Sequence, residues 1–249
     1  MTTAQDSTRS EQEQQDGRGG RRALVVRGGW DGHAPVEGTD RFLDFLRGSG
    51  FDVRVEDSPA VYADASVMAD VDLVLQSVTM SSATDEQVAG LRAAVERGTG
   101  LVGWHGGIAD SFRASAEYLQ LIGGQFVAHP DAPVQHSIDM TDLGHEHPIT
   151  AGLDDFTLDT EQYWVLSDDL NDVLATTTHT ARGQWARAVT VPAVWTRAWG
   201  AGRIVVVTPG HDVQILDHPS VRSMIERGVL WATEDRPATA TDDTAAVAR

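Results

Sequence analysis

The sequence predicts an α/β fold, a single domain whose mostly parallel sheet carries helices on both faces and is extended by additional C-terminal strands. Three observations lead there. Short, wholly apolar runs such as Ile204-Val205-Val206-Val207 are the mark of strands buried on both faces. Through the first half of the chain such runs alternate with stretches of helical apolar spacing, the pattern of successive βαβ units. Glycines then close the helices before the next strand begins, Gly48 and Gly50 in one case and Gly98 and Gly100 in another.

The elements follow in order. Ala23-Leu24-Val25-Val26 reads as the first buried strand and runs into the glycine-rich turn Gly28 to His33. Phe42, Phe45 and Leu46 recur at helical spacing, and after Gly50 the chain returns as the strand Phe51 to Val55. A strand over Val71 to Leu75 precedes a helix from Asp85 to Arg97, whose Val88, Leu91 and Val95 share one face. Leu101 to Trp104 is the next strand, and Phe112 to Ile122 the next helix. From about residue 134 strand-like segments dominate: Val134 to Met140, Gln162 to Leu166, Val173 to Thr178, Ala193 to Trp199 and Ile204 to Val207. They are expected to extend the sheet or to form an antiparallel patch beside it. An amphipathic helix, Ser220 to Trp231, closes the domain. Residues 1–21 and 235–249 are poor in large apolar side chains and read as disordered tails, leaving 22–234 as the folded domain.

Composition removes several classes of chemistry. With 249 residues, 41% of them hydrophobic, the chain can bury a substantial core. Its apolar runs fall far short of the roughly 20 residues needed to cross a bilayer as a helix, and Met1 to Gly20 lacks the apolar segment of a signal peptide. No membrane partner is expected, and the cytoplasm is the expected location. The absence of cysteine excludes disulfides, thiolate nucleophiles and every Cys-ligated metal site. All 19 basic residues are Arg, so Schiff-base catalysis through lysine is excluded as well. The net charge of −18 repels phosphate backbones and argues against a nucleic-acid partner. Metal binding, if present, must use His, Asp and Glu.

In an open parallel sheet, ligands bind beyond the carboxyl ends of the strands. Three strand exits carry a histidine. The first, Gly28 to His33, lacks the spacing of a dinucleotide fingerprint because position 27 is Arg27, and there is no Walker lysine. The second, Gly103-Trp104-His105-Gly106-Gly107, has the small-residue frame of a nucleophile elbow with imidazole in place of the nucleophile. An imidazole there can act as acid, base or metal ligand. The third, Thr208-Pro209-Gly210-His211, again sets histidine directly after glycine. His129, His147 and His218 each precede proline, where surface turns are the ordinary outcome, and His145-Glu146-His147 lacks the spacing of a zincin motif. Glu161 is a candidate acid or base, although an exposed strand carboxylate is the commoner role. Among the seven tryptophans, Trp30 and Trp104 flank the first two turns and are placed to stack on a sugar ring.

Taken together these segments resemble the trehalose-utilisation, or ThuA-like, family. The matching pieces run in family order from Gly28-Gly29-Trp30 with Gly32-His33, through Gly103 to Gly107, Gly123-Gly124 with Phe126 and His129-Pro130, and His147-Pro148-Ile149-Thr150 with Gly152-Leu153. Glu161 with Tyr163, Pro192 with Trp195-Thr196-Arg197, Gly200 with Gly202-Arg203, and Gly210-His211 complete the set. The resemblance implies a flavodoxin-like fold related to the class I glutamine amidotransferases, and a role in disaccharide or keto-sugar catabolism. Those amidotransferases carry a cysteine where this chain has His105, so glutamine hydrolysis through a thioester is excluded. Carried over position by position, the resemblance places His33, His105, His129, Glu161 and His211 around the pocket. Asp159-Thr160-Glu161 departs from a family pattern in which Asp and Glu are more often adjacent.

The expected function is acid/base chemistry on an oxidised or keto sugar, as an isomerase, lyase or hydrolase. His105, His211 and Glu161 are the catalytic candidates. Trp30, His33, Trp104, Gly106, Gly107, His129 and Tyr163 are the substrate-binding candidates. His33, His105 and His211 are candidate ligands for a divalent metal, with zinc the plausible choice for imidazole and carboxylate donors. The alternative is a carbohydrate-binding or interaction domain without catalysis. An esterase using Ser111 is disfavoured, because that serine lies well past the turn. The expected partner is a small carbohydrate, and a homo-oligomer is left open.

Overall fold

The computed structural model describes residues 20–131 and 133–234. Next to one edge of the main sheet, β1 (Arg21–Gly29) pairs in parallel with β2 (Phe51–Glu56) on one side and β3 (Leu73–Thr79) on the other. β3 pairs in parallel with β4 (Gly100–Trp104), and β4 with β11 (Gly202–Val207). Beyond β11 the sheet continues antiparallel through β10 (Val189–Trp199), β9 (Asp172–His179), β6 (Val134–Met140) and β7 (Phe156–Thr160). The order is therefore β2-β1-β3-β4-β11-β10-β9-β6-β7. The C-terminal strands extend the parallel sheet rather than forming a separate layer. Among the described residues β5 (Gly124–Ala128) and β8 (Trp164–Ser167) stand apart from this sheet, as a two-stranded antiparallel pair.

The strands are apolar on both faces, and their period of two divides the core into two layers. Val25, Leu75, Val102 and Val205 face α1 (Pro35–Gly48) and α8 (Pro219–Ala232), which contribute Phe42, Leu46, Met224 and Val229. Leu24, Val74, Leu101 and Val206 face the other way. They pack with Val88, Leu91 and Val95 of α3 (Asp85–Arg97) and Leu121 of α5 (Ala116–Ile122). Local signals place the helix starts. Pro35 and Pro219 occupy first-turn positions, where the missing N–H costs nothing, and Thr84 and Gln87 form a reciprocal capping box on α3.

Several boundaries differ from the sequence expectation, each for a physical reason. The helix expected from Phe112 starts at Ala116, where Ser115 accepts a hydrogen bond from the Tyr118 N–H. Phe112 itself has a φ of 30° and cannot continue a helix. A one-turn helix, α4 (Gly106–Ala109), precedes it. The strand expected over Val71 to Leu75 runs instead from Leu73 to Thr79. Gln76 looks like a strand end but is buried, accepting from Tyr62 and donating to Tyr118. The strand expected from Gln162 begins at Trp164, leaving Glu161, Gln162 and Tyr163 in the connection after β7. The short elements β5, β7, α2 (Ala65–Met68), α6 (Asp142–Glu146) and α7 (Val213–Leu216) were not anticipated, since four or five residues carry too little periodicity. Arg21, assigned to the N-terminal tail, opens β1; the rest of both expected tails lies outside the described residues, apart from Gly20. Among the described residues no helix is long and apolar enough to cross a membrane.

Trp104 requires a correction. It was expected to hold a sugar ring, but it is only 2% exposed and packs 5.0 Å from Phe42, in the core layer beneath α1. Gly210 makes room for its indole, since a Cβ there would lie 2.8 Å from the ring. The strand alternation that buries Val102 buries Trp104 on the same side. Trp104→Ala is expected to lower the unfolding free energy by about 3–5 kcal/mol, the usual range for removing a large buried ring, as measured by urea denaturation.

Candidate functional site

The parallel strands deliver their carboxyl ends to one edge of the sheet, and four of those ends meet. β1 leads through Gly29 into a 3-10 turn, Asp31–His33, that turns His33 inward. Gly29 has a φ of 83°, and a Cβ there would lie 1.9 Å from the Thr79 carbonyl oxygen, so only glycine allows the ends of β1 and β3 to run this close. Thr79, ending β3, places its hydroxyl 3.2 Å from His33 Nδ1. β4 leads into His105 and β11 leads to His211. The three imidazoles form a tight group: ring centres are 4.7 Å apart for His33 and His105, 5.2 Å for His33 and His211, and 5.4 Å for His105 and His211.

His105 sits on a strained bend with φ 47° and ψ −137°, a conformation that costs a non-glycine residue on the order of 1–3 kcal/mol. Hydrogen bonds hold it there. Its N–H donates to Val207 O at 2.8 Å, and its carbonyl accepts from the Ala109 N–H at 2.9 Å. Glycine is required next to it because a Cβ on Gly106 would lie 2.6 Å from His33 Nδ1, and one on Gly107 would strike Ser77. The bend is thus sealed from below, and the His105 side chain is only 1% exposed.

Glu161 comes from the connection after β7 and closes the group. Its Oε2 lies 3.1 Å from His105 Nε2 and 3.3 Å from His211 Nδ1, while Oε1 lies 3.5 Å from His129 Nε2. Tyr163, two residues on, stacks on the His105 ring at 3.9 Å. Trp30 meets His33 edge-on at 4.9 Å and is 50% exposed, so it is the tryptophan available at the rim.

The protonation of His105 follows from its partners. Nδ1 lies 2.8 Å from the Thr208 carbonyl oxygen. A carbonyl can only accept, so Nδ1 carries the hydrogen and Nε2 of the neutral ring presents a lone pair. That lone pair faces the Glu161 carboxylate, and two acceptors at 3.1 Å require a proton or a cation between them. Burial pushes the His105 imidazolium down, which disfavours the proton. His211 is raised by its contact with Glu161. Burial alone would raise Glu161, but His105 and His211 more than offset it and hold the carboxyl well below the usual carboxylate range. His33, buried and beside two other imidazoles, is pushed down to about 3.

The group is chemically suited to a divalent cation. One donor atom each from His33, His105, Glu161 and His211 lies within 4.8 Å of the others. Tetrahedral zinc with bonds of about 2.0–2.1 Å sets neighbouring donors roughly 3.4 Å apart, close to the 3.1 and 3.3 Å spacings around Glu161. His211 Nδ1 is buried and lacks an aligned hydrogen-bond partner, and the carbonyl behind His105 is the support commonly found behind a metal-ligating imidazole.

Of the residues singled out from the sequence, His33, His105, His129, Glu161, Tyr163 and His211 come together, with Trp30 at the rim and Gly106 and Gly107 as the floor. His147 instead packs on Trp231, and His218 stacks on Phe156 while capping α8. Ser111 is fully buried, its hydroxyl donating to Val78 O at 2.6 Å, so it is structural. Sequence reasoning missed Thr79, Thr208 and the buried Asp110 with its exposed partner Arg113. Thr79 was missed because β3 was ended four residues early, which hid a strand exit that carries no histidine.

The family model described as ThuA, trehalose utilisation, matches residues 22–232. No curated protein matches the chain in sequence. Among solved structures, a ThuA-like protein from Bacteroides uniformis superposes with a TM-score of 0.68 at 16% identity, covering 84% of this chain and 89% of its own. A ThuA-like protein from Parabacteroides merdae gives 0.67 at 16% identity, over 88% and 93%. A cytoplasmic protein from Salmonella typhimurium gives 0.62 at 13%, over 86% and 100%. At these identities the likeness is one of fold.

The depressed His33 has a consequence for stability. In metal-free protein the unfolded chain takes up a proton near pH 6.5 that the folded chain refuses until about pH 3. His33 therefore lowers stability progressively as pH falls between those values. Urea unfolding from pH 7 to 4 is expected to show a shallower acid decline in His33→Asn than in wild type; parallel profiles would contradict this.

Proposed function

This chain belongs to the ThuA, trehalose-utilisation, family, and we propose that it acts on a disaccharide or its keto form by moving a proton at the His105–Glu161 centre. The observation that carries this reading is the meeting of the His105 Nε2 lone pair with the Glu161 carboxylate at 3.1 Å. A neutral imidazole whose other nitrogen is committed to a backbone carbonyl is an oriented base. The family description supports a carbohydrate as the substrate class.

In this mechanism the carbon next to the sugar carbonyl gives its proton to His105 Nε2. The C–H bond breaks, an N–H bond forms, and the electron pair moves onto the carbonyl oxygen as an enolate. Glu161, beside Nε2, stabilises the imidazolium that results by its opposite charge, while the Thr208 carbonyl holds Nδ1–H from behind. His211, whose proton affinity is raised by the same carboxylate, donates to the enolate oxygen. Where the first carbon bears a hydroxyl, His105 returns the proton to the former carbonyl carbon while that hydroxyl gives its own proton to the now neutral His211 and becomes the new carbonyl, which completes an isomerisation. Trp30 offers a partly exposed ring for the apolar face of the sugar, and Tyr163 holds the His105 ring in plane by stacking. A divalent metal held by His33, His105, Glu161 and His211 would supply Lewis-acid stabilisation of the oxyanion, and His129, 3.5 Å from Glu161, would then be the imidazole left to carry the proton. The reaction belongs to a small-molecule enzyme, for which we propose a cytoplasmic location and no nucleic-acid or membrane partner.

Two measurements test this. Zinc titration of metal-stripped protein should give a single tight site, weakened at least tenfold in both Glu161→Gln and His211→Gln. Incubating wild type with a keto-disaccharide panel in heavy water should place deuterium on the carbon beside the carbonyl, with the rate down on the order of 10²-fold or more in His105→Gln. Sugar binding without exchange would identify a binding domain instead.

A further inference from the structure

Outside the histidine group, a cavity of about 400 Å³ lies between the segment leaving β3 and the segment joining α4 to α5. That is within the size range of small-molecule sites, about 300–1,000 Å³. Two of its lining residues are strained. Met80 has a φ of 48° and Phe112 a φ of 30°, and the Met80 N–H donates to the carbonyl of Asp110, two residues before Phe112. Non-glycine residues in the left-handed region gather at ligand clamps and active sites. Met80 is moreover 61% exposed, a long thioether side chain left uncovered on the cavity wall.

Packed residues connect the cavity wall to the histidine group. Thr79, which contacts His33, is the residue before Met80. Arg113 pairs with the buried carboxylate of Asp110 and lies 5.0 Å over the Phe126 ring. Phe126 packs 4.2 Å from Tyr163, which stacks on His105. The lining chemistry selects the ligand class. Arg113 is already paired and Asp85 adds a further carboxylate, so an anion finds net negative charge. One lining carboxylate is too few for a metal ion. What remains is Ser81, Ser82 and Ser115 hydroxyls beside the apolar surfaces of Met80, Ala83 and Ala114. Hydroxyl partners next to an apolar wall suit a neutral sugar ring, which has hydroxyls at its edge and C–H groups on its face.

We propose that this cavity is a second sugar subsite, so that the ligand is a glycoside with one ring at the histidine group and the other between Met80 and Arg113. The proposal rests on the carbohydrate reading above for the first ring. Its test is calorimetry on the full chain with trehalose and glucose as probes, comparing wild type with Ser82→Trp and Ala114→Trp. Both positions are exposed, so an indole there fills the cavity without entering the core. Wild type should bind trehalose at least tenfold more tightly than glucose. Each variant should bring that ratio towards one while leaving glucose affinity unchanged. A wild-type ratio near one, no binding of either sugar, or an undiminished ratio in both variants with unchanged circular dichroism overturns the subsite. Absent deuterium exchange alongside a ratio that collapses in the variants would instead sink the proton-transfer mechanism and keep the subsite.

Discussion

The site depends on one hydrogen bond, from His105 Nδ1 to the carbonyl of Thr208 at 2.8 Å. It joins the exits of β4 and β11, neighbours in the sheet, and it decides which nitrogen of His105 is free. A strained bend would let the imidazole rotate if nothing held it. The backbone bonds to Val207 and from Ala109, each worth about 0.5–1.5 kcal/mol, offset that strain, and the side-chain bond to Thr208 leaves the imidazole one orientation. Nε2 must then face Glu161, and the electrostatics of the group follow from that confrontation.

Glu161 shows why the antiparallel half of the sheet matters to a site built on the parallel half. The parallel strands supply only imidazoles and a threonine at this edge. The negative charge arrives from the connection between β7, on the far edge of the sheet, and β8, which pairs with β5 outside it. β5 is followed directly by His129, so the small β5–β8 pair carries both His129 and Tyr163 to the group. The elements least visible in the sequence thus position the carboxylate and the stacking ring.

Burial sorts the four titratable groups into different roles. His33 and His105 are both pushed towards the neutral form by desolvation, while His211, less buried and next to the carboxylate, is pushed towards the charged form. Neighbouring groups of one residue type with proton affinities driven apart are the arrangement that acid/base chemistry needs. The same donors, with Glu161 holding its charge to low pH, are also what a divalent cation needs. The chain's surplus of acidic residues does not enter this group, where a single carboxylate faces imidazoles.

Much of this was legible in the residues alone. Two-sided apolar strands, glycine stops and helical spacing determined a parallel α/β core, because those patterns reflect local geometry that each segment carries with it. The same local rules located His33, His105 and His211 at strand exits, since a parallel sheet sends all such exits to one edge. Tertiary structure alone decided the rest. Trp104 and His105 are adjacent in sequence, yet one is core and the other is the site, because the bend at His105 breaks the alternation of β4. Gln76 reads as the end of a strand but lies within it, its polar atoms satisfied by Tyr62 and Tyr118 from elements distant in sequence. Glu161 reads as an exposed carboxylate, and only the folding of β7 and β8 towards the parallel edge brings it within 3.1 Å of His105. Contacts of that kind depend on how distant segments pack, which no local pattern encodes.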